Sequence, residues 1–101
     1  MNLIIEQAET FFISRWFYYH VPSAYVLINS ELGSENEILE KIRKVPEVVD
    51  VYRVFGVYDI VVRISTNNME TLKEIIAWKI KNLDKVRSAL SMIVTENLDN
   101  D

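Results

Sequence analysis

The chain of 101 residues has no cysteine. Disulfides, thiolate nucleophiles and cysteine-based zinc sites are therefore excluded. Its one histidine, His20, lies in the N-terminal arm with no partner at catalytic or metal-ligand spacing. A lone histidine of this kind is ordinarily a surface or core residue. The two glycines, Gly33 and Gly56, stand apart, so no Gly-rich phosphate loop exists. With only two prolines besides, loops should be short. Basic residues number 11 against 15 acidic ones, a net charge of −4. That balance lacks the electrostatic footprint of a stand-alone nucleic-acid binder. Long uninterrupted apolar runs are missing too. Glu6, Glu9, Arg15, His20 and Pro22 break up the apolar stretch near the N-terminus, which is no good membrane span. The first residues carry neither a basic segment nor a small-residue cleavage site. With no targeting signal the expected location is the cytoplasm. The acidic tail has too few regularly spaced ligands for a calcium loop, and no cofactor or metal is expected.

What is present is a globular composition, 50% hydrophobic and 26% charged, long enough for one domain. Residues 1–23 form an aromatic-rich arm with FFISRWFYYH at its centre. Residues 24–96 form the domain, and 97–101 an acidic tail. Within the domain, AYVLIN at 24–29 has strand length. Ser34 and Glu37 have capping-box spacing, and Ile38, Leu39, Ile42 and Val45 then repeat at helical spacing until Pro46. Strands are expected at 48–55 and 58–65. Asn67 and Glu70 offer a second cap, for a helix whose buried stripe is Met69, Leu72, Ile76, Ile80 and Leu83, widened by Ile75 and Trp78. The last strand is expected at 86–96. The order β-α-β-β-α-β specifies a ferredoxin-like α+β fold, a four-stranded antiparallel sheet with two helices on one face. The strands are apolar on both faces, so the bare face would be a large hydrophobic patch. Dimerisation through the sheet is the simplest cover.

The central hairpin can be registered from sequence alone. A two-residue loop at Gly56 and Val57 pairs Phe55 with Tyr58 and sets Asp50 opposite Arg63, an opposite-charge pair. Asp50, Tyr52, Val54, Asp59, Val61 and Arg63 then share one face. Val49, Val51, Phe55, Tyr58, Ile60, Val62 and Ile64 share the other, beneath the helices, with Arg53 as the misfit.

No catalytic set stands out, and the chain is not expected to be an enzyme. Gly56, Tyr58 and Asp59 read either as a turn glycine, a core aromatic and a solvated carboxylate, or as a loop that approaches a small ligand. In the second reading Asp59 accepts from an amine. Aspartate is uncommon within strands and asks for a reason. Arg87, Ala89 and Ser91 share one face of the last strand, either an exposed strand end or a site for a ligand carboxylate. Trp78 and the cluster Trp16, Phe17, Tyr18 and Tyr19 read as subunit contacts before ligand pocket.

The hairpin's Gly56-x-Tyr58-Asp59, the lead-in Val45-Pro46-x-Val48-x-x-Val51-Tyr52 and the lead-in Leu83-x-x-Val86-Arg87-Ser88 together resemble the Lrp/AsnC feast/famine family. Residues 24–96 are similar to its ligand-binding RAM domain, and the stretch from Trp78 to Val94 is similar to short archaeal stand-alone members. The resemblance implies dimers formed through the sheet, assembly of dimers into octamers, and small effectors, typically amino acids, bound between dimers. Carried over, it implies Gly56, Tyr58, Asp59 and Ser91 as effector contacts, and full-length Lrp/AsnC regulators as further partners. The arm shows no helix-turn-helix pattern, so a stand-alone sensing module without direct DNA binding is expected. Ala89 stands where many relatives carry threonine. Two other readings remain open at this stage. One is a small dimeric ferredoxin-like monooxygenase or isomerase, which would need polar groups between helices and sheet. The other is a ligand-free structural assembly domain.

Overall fold

The computed structural model describes residues 21–95. The arm up to residue 20, with its aromatic cluster and His20, and the tail at 97–101 lie outside the described residues. The elements run β1 (Ser23–Ser30), α1 (Glu35–Arg43), β2 (Val48–Arg53), β3 (Ile60–Ser65), α2 (Met69–Glu74) with a π-helical continuation (Ile75–Ile80), and β4 (Val86–Ile93). The four strands form one antiparallel sheet in the order β2-β3-β1-β4. The expected βαββαβ fold is the one observed.

Alternation at period two decides which residues form the core. On β1, Ala24, Val26 and Ile28 are buried. Their partners Ile64, Val62 and Ile60 on β3 are buried as well. Against them pack Ile38, Leu39 and Ile42 of α1 and Leu72, Ile75, Ile76 and Ile80 of the second helix. Among the described residues the opposite face carries no helix. It presents Tyr25 and Leu27 of β1, Tyr52 of β2 and Leu90 and Met92 of β4, where Tyr52, Leu90 and Met92 are about half exposed.

The hairpin register holds along the strands, with Asp50 opposite Arg63 and joined to it at 3.4 Å. Its turn does not close as expected. The strands stop at Arg53 and Ile60, leaving six residues, 54–59, as the connection. Phe55, expected beneath the helices, is fully exposed, and the loop residue Val57 is exposed as well. A register shift between Val48 and Asp50 makes Val49 the extra residue. Val48 and Val51 therefore pack on the core while Val49 faces solvent. Arg53 does lie on the helix side, opposite Ile60, and its guanidinium donates to Asn36 Oδ1 in α1 at 3.0 Å. The misfit is a strand-to-helix tie.

Both caps differ from expectation. Ser34 occupies the N-cap of α1 but its side chain makes no capping bond. Glu37, its expected partner, is drawn to Lys85 (3.3 Å) and Lys41 (3.5 Å). The Lys85 hydrogen bond and charge, followed by Lys41, hold the Glu37 carboxyl below its ordinary range. Lys85 takes a left-handed φ of 74° just before β4, and its carbonyl accepts the Glu31 N–H at 2.8 Å. The second helix is capped by Asn68, one residue later than expected, with Oδ1 accepting from Thr71 N–H at 2.8 Å. After Glu74 the winding widens, and Lys81 N–H donates to Ile76 O five residues back. In an α-helix, residues five apart are turned by about 140°. The wider winding brings Ile75 and Ile80 nearer to one line, and both are buried. It also rotates Trp78 outward, where it is 71% exposed instead of flanking the stripe.

The unequal caps predict unequal substitutions. Asn68→Ala should cost about 1 kcal/mol of stability, the usual value of a lost N-cap bond. Ser34→Ala should cost less than half as much. Urea melts of the two variants test the difference.

Candidate functional site

Asp59 sits where three strands meet. Its N–H donates to Ile28 O of β1 at 2.9 Å, and its carbonyl accepts from Val54 N–H at 2.8 Å. Its Oδ2 accepts from both the backbone N–H and the hydroxyl of Ser30, at 3.0 and 3.1 Å. Ser30 is buried, at the point where the β1–β4 register shifts. The carboxylate thus satisfies a buried backbone donor and a buried hydroxyl that would otherwise lack partners. This explains an aspartate so early in a β-run. The other carboxylate oxygen, Oδ1, takes no hydrogen bond among the described residues.

Beside it lies a cleft of about 280 Å³ lined by Glu35, Arg53, Val54, Phe55 and Asp59. Sequence reasoning named only Asp59 of these. The signal for Arg53 was present as the polar misfit on the helix-side face. Glu35, the first residue of α1, gave none. Gly56 and Tyr58 belong to the same connection but do not line the cleft. Gly56 does not have the positive φ expected of a turn glycine, and a Cβ built there meets nothing within 4 Å. Neither backbone nor packing within the chain requires glycine at that position. Tyr58 is half-buried.

Ser91 is not brought to this group within one chain. It stands opposite Val26 on β4, on the helix side of the sheet, with β1 between it and β3. Ala89 lies on the same side, opposite Ile28 and packed against the core. Arg87 is exposed, and Ser88 accepts from Asn29 Nδ2 on the open face.

A second cleft, of about 290 Å³, is lined by Pro46, Glu47, Ser65, Thr66, Asn67, Asn68 and Thr71 at the other end of the sheet. None of the expected site residues reaches it. Glu47 Oε1 is buried there without a hydrogen bond, 3.8 Å from Lys79 Nζ. That separation makes an ion pair but is too long for a hydrogen bond. Among the described residues no group of three or more His, Cys, Asp or Glu could hold a metal ion. No helix among them is long and apolar enough to cross a membrane.

The fold is thus an α+β domain with one covered and one open sheet face, and a charged cleft at the root of its central hairpin. The Lrp/AsnC ligand binding domain model matches residues 23–101, and the chain belongs to that family. It is 37% identical over 71 residues to the HTH-type transcriptional regulator FL11 of Pyrococcus furiosus, covering 70% of this chain and 46% of the relative. The chain spans about half the length of the curated relatives it matches. Among solved structures it is similar to FFRP-DM1, with TM-score 0.70 and 32% identity over 72% of this chain and 97% of that one. It is also similar to the hypothetical protein PHS023 from Pyrococcus horikoshii, with TM-score 0.69 and 30% identity over 78% of this chain and 93% of that one. FL11 is a transcriptional regulator, and homologues of this family are regulator domains and not enzymes. The monooxygenase and isomerase reading is set aside on that ground.

The two bonds from Ser30 give Asp59 a structural role beside any binding role. Asp59→Ala should lower stability by about 1–3 kcal/mol, because it leaves a buried N–H and hydroxyl unpaired. Asp59→Asn keeps an acceptor for Ser30 and should lose less. Chemical denaturation of both variants checks the order.

Proposed function

We propose that the chain is an oligomeric module that senses a small amino-acid-like effector within the Lrp/AsnC transcription-regulator family. Its two working surfaces are the open sheet face and the hairpin connection. The effector contacts are Gly56, Tyr58 and Asp59 from one subunit, joined by Ser91 from another. The expected setting is the cytoplasm, in contact with full-length Lrp/AsnC regulators.

The observation that carries this reading is Gly56. A glycine that neither φ nor packing requires, at the tip of an exposed connection beside a charged cleft, fits a backbone that another molecule approaches closely. A contact between dimers would also bring together Asp59 and Ser91, which a single chain keeps apart. The open face supports the dimer. Tyr25, Tyr52, Leu90 and Met92 form an apolar surface on one side of the sheet, and contiguous surfaces of this kind mark subunit contacts.

Sedimentation of the purified chain should give a dimer or a multiple of it at micromolar concentration. A stable monomer overturns the reading. Leu90→Asp with Met92→Asp should yield folded monomers, since both side chains point away from the core. For the effector, titration with an amino-acid panel should show binding that Gly56→Ala weakens at least tenfold while the thermal midpoint stays level or rises, as glycine replacement in an ordinary backbone region predicts.

A further inference from the structure

Two rows of cross-strand partners make the middle of the open sheet face. One row is Asp50, Arg63, Tyr25 and Met92, in line across β2, β3, β1 and β4. The next is Tyr52, Val61, Leu27 and Leu90, and it carries no charge. A pair of opposite charges is thus set into an otherwise aromatic and aliphatic surface. Arg63 Nη1 donates to Asp50 Oδ2 at 3.4 Å. The two partners are unequally covered. Arg63 lies on the inner strand β3 and its side chain is only 13% exposed, whereas Asp50 lies on the edge strand β2 and is 38% exposed. A layer laid on this face would complete the burial of both.

We propose that the Asp50–Arg63 pair selects which chains assemble through this face. It accepts a second copy that presents the same pair and rejects a face that does not. The inference rests on the sheet-to-sheet dimer proposed above and names the residues that choose the partner. Covering the face takes the remaining water from the Asp50 carboxylate. A carboxylate that loses water without gaining a donor is destabilising. An apolar cover has no donor to give. A second copy does, because a two-fold axis lays one surface on itself. A face with adjacent positive and negative groups is complementary to its own rotated image. Each Asp50 then accepts from the partner subunit's Arg63. Such pairs add little net affinity over apolar contacts, but a mismatch across them is costly. Tyr25, Tyr52, Leu90 and Met92 therefore supply the affinity, and the charge pair supplies the selectivity by penalising wrong partners.

The test is subunit exchange between unlabelled and isotope-labelled full chains, read by native mass spectrometry. Wild-type chains mixed with one another should reach the statistical share of mixed dimers. Asp50→Arg with Arg63→Asp keeps the pair but reverses it. This chain should dimerise with itself, while its mixed dimers with wild type fall at least about tenfold below the statistical share, since like charges then meet across the interface. Asp50→Leu with Arg63→Met gives a second test that does not depend on a reversed pair folding. It should dimerise with itself as tightly as wild type or tighter, and it should also mix with wild type below the statistical share. Statistical mixing of wild type with either variant overturns this inference and leaves the sheet-to-sheet dimer standing. Failure of either folded variant to dimerise with itself overturns it as well. A wild-type chain that stays monomeric overturns both readings.

Discussion

One helix layer cannot cover two faces of a sheet, and that constraint organises the molecule. The central strands β1 and β3 place Ala24, Val26, Ile28, Ile60, Val62 and Ile64 under the helices with no solvent exposure. Burial of the valine and isoleucine side chains among them contributes roughly 1.5–3 kcal/mol each, so the central pair is where the fold is held. The same alternation sends Tyr25, Leu27, Val61 and Arg63 to the other side, where no helix among the described residues covers them. The described residues hold no third layer. The apolar content of the open face marks where a further layer would pack, and the Asp50–Arg63 pair at its β2–β3 seam adds a polar mark to that surface. Arg63 is only 13% exposed by its side chain, so the pair is more than a loosely solvated surface contact.

Asp59 is the second organising element. It belongs to β3 by sequence, yet its amide and carboxylate go to β1 and its carbonyl to β2. Residue 59 thus ties the root of the hairpin to both neighbouring strands. The connection at 54–59 stands clear of the core and exposes Phe55 and Val57. At its root the Asp59 carboxylate turns Oδ2 inward to Ser30.

Much of the architecture was legible because it rests on local periodicity. The order of elements along the chain, the Asp50–Arg63 register and the core face of β3 follow from periodicity and one charge pair. The misses each involve a competitor from elsewhere in the chain. The Ser34–Glu37 capping box fails because Lys85, distant in sequence, attracts Glu37. Val49 changes sides because the β2–β3 register slips by one residue. Trp78 turns outward because the helix widens to i→i−5 bonding, which a 3.6-residue stripe cannot anticipate. At the candidate site, Asp59 was visible as an aspartate out of place in a strand and Arg53 as a charge on the wrong face. Glu35 was visible only as an acidic residue in a first helical turn, a position where acids are ordinary.

Those two anomalies, Asp59 and Arg53, prove to be neighbours, since both line one cleft. Each already has a structural tie, Asp59 to Ser30 and Arg53 to Asn36. Charged groups at an open surface complete their hydrogen bonding with water, and a direct ion pair there contributes about 0–1 kcal/mol. Arg53 can therefore meet a neutral amide while two carboxylates line the same cleft, and the fold loses little by it. What the two ties supply is position: Ser30 fixes Asp59 against β1, and Asn36 fixes Arg53 against α1.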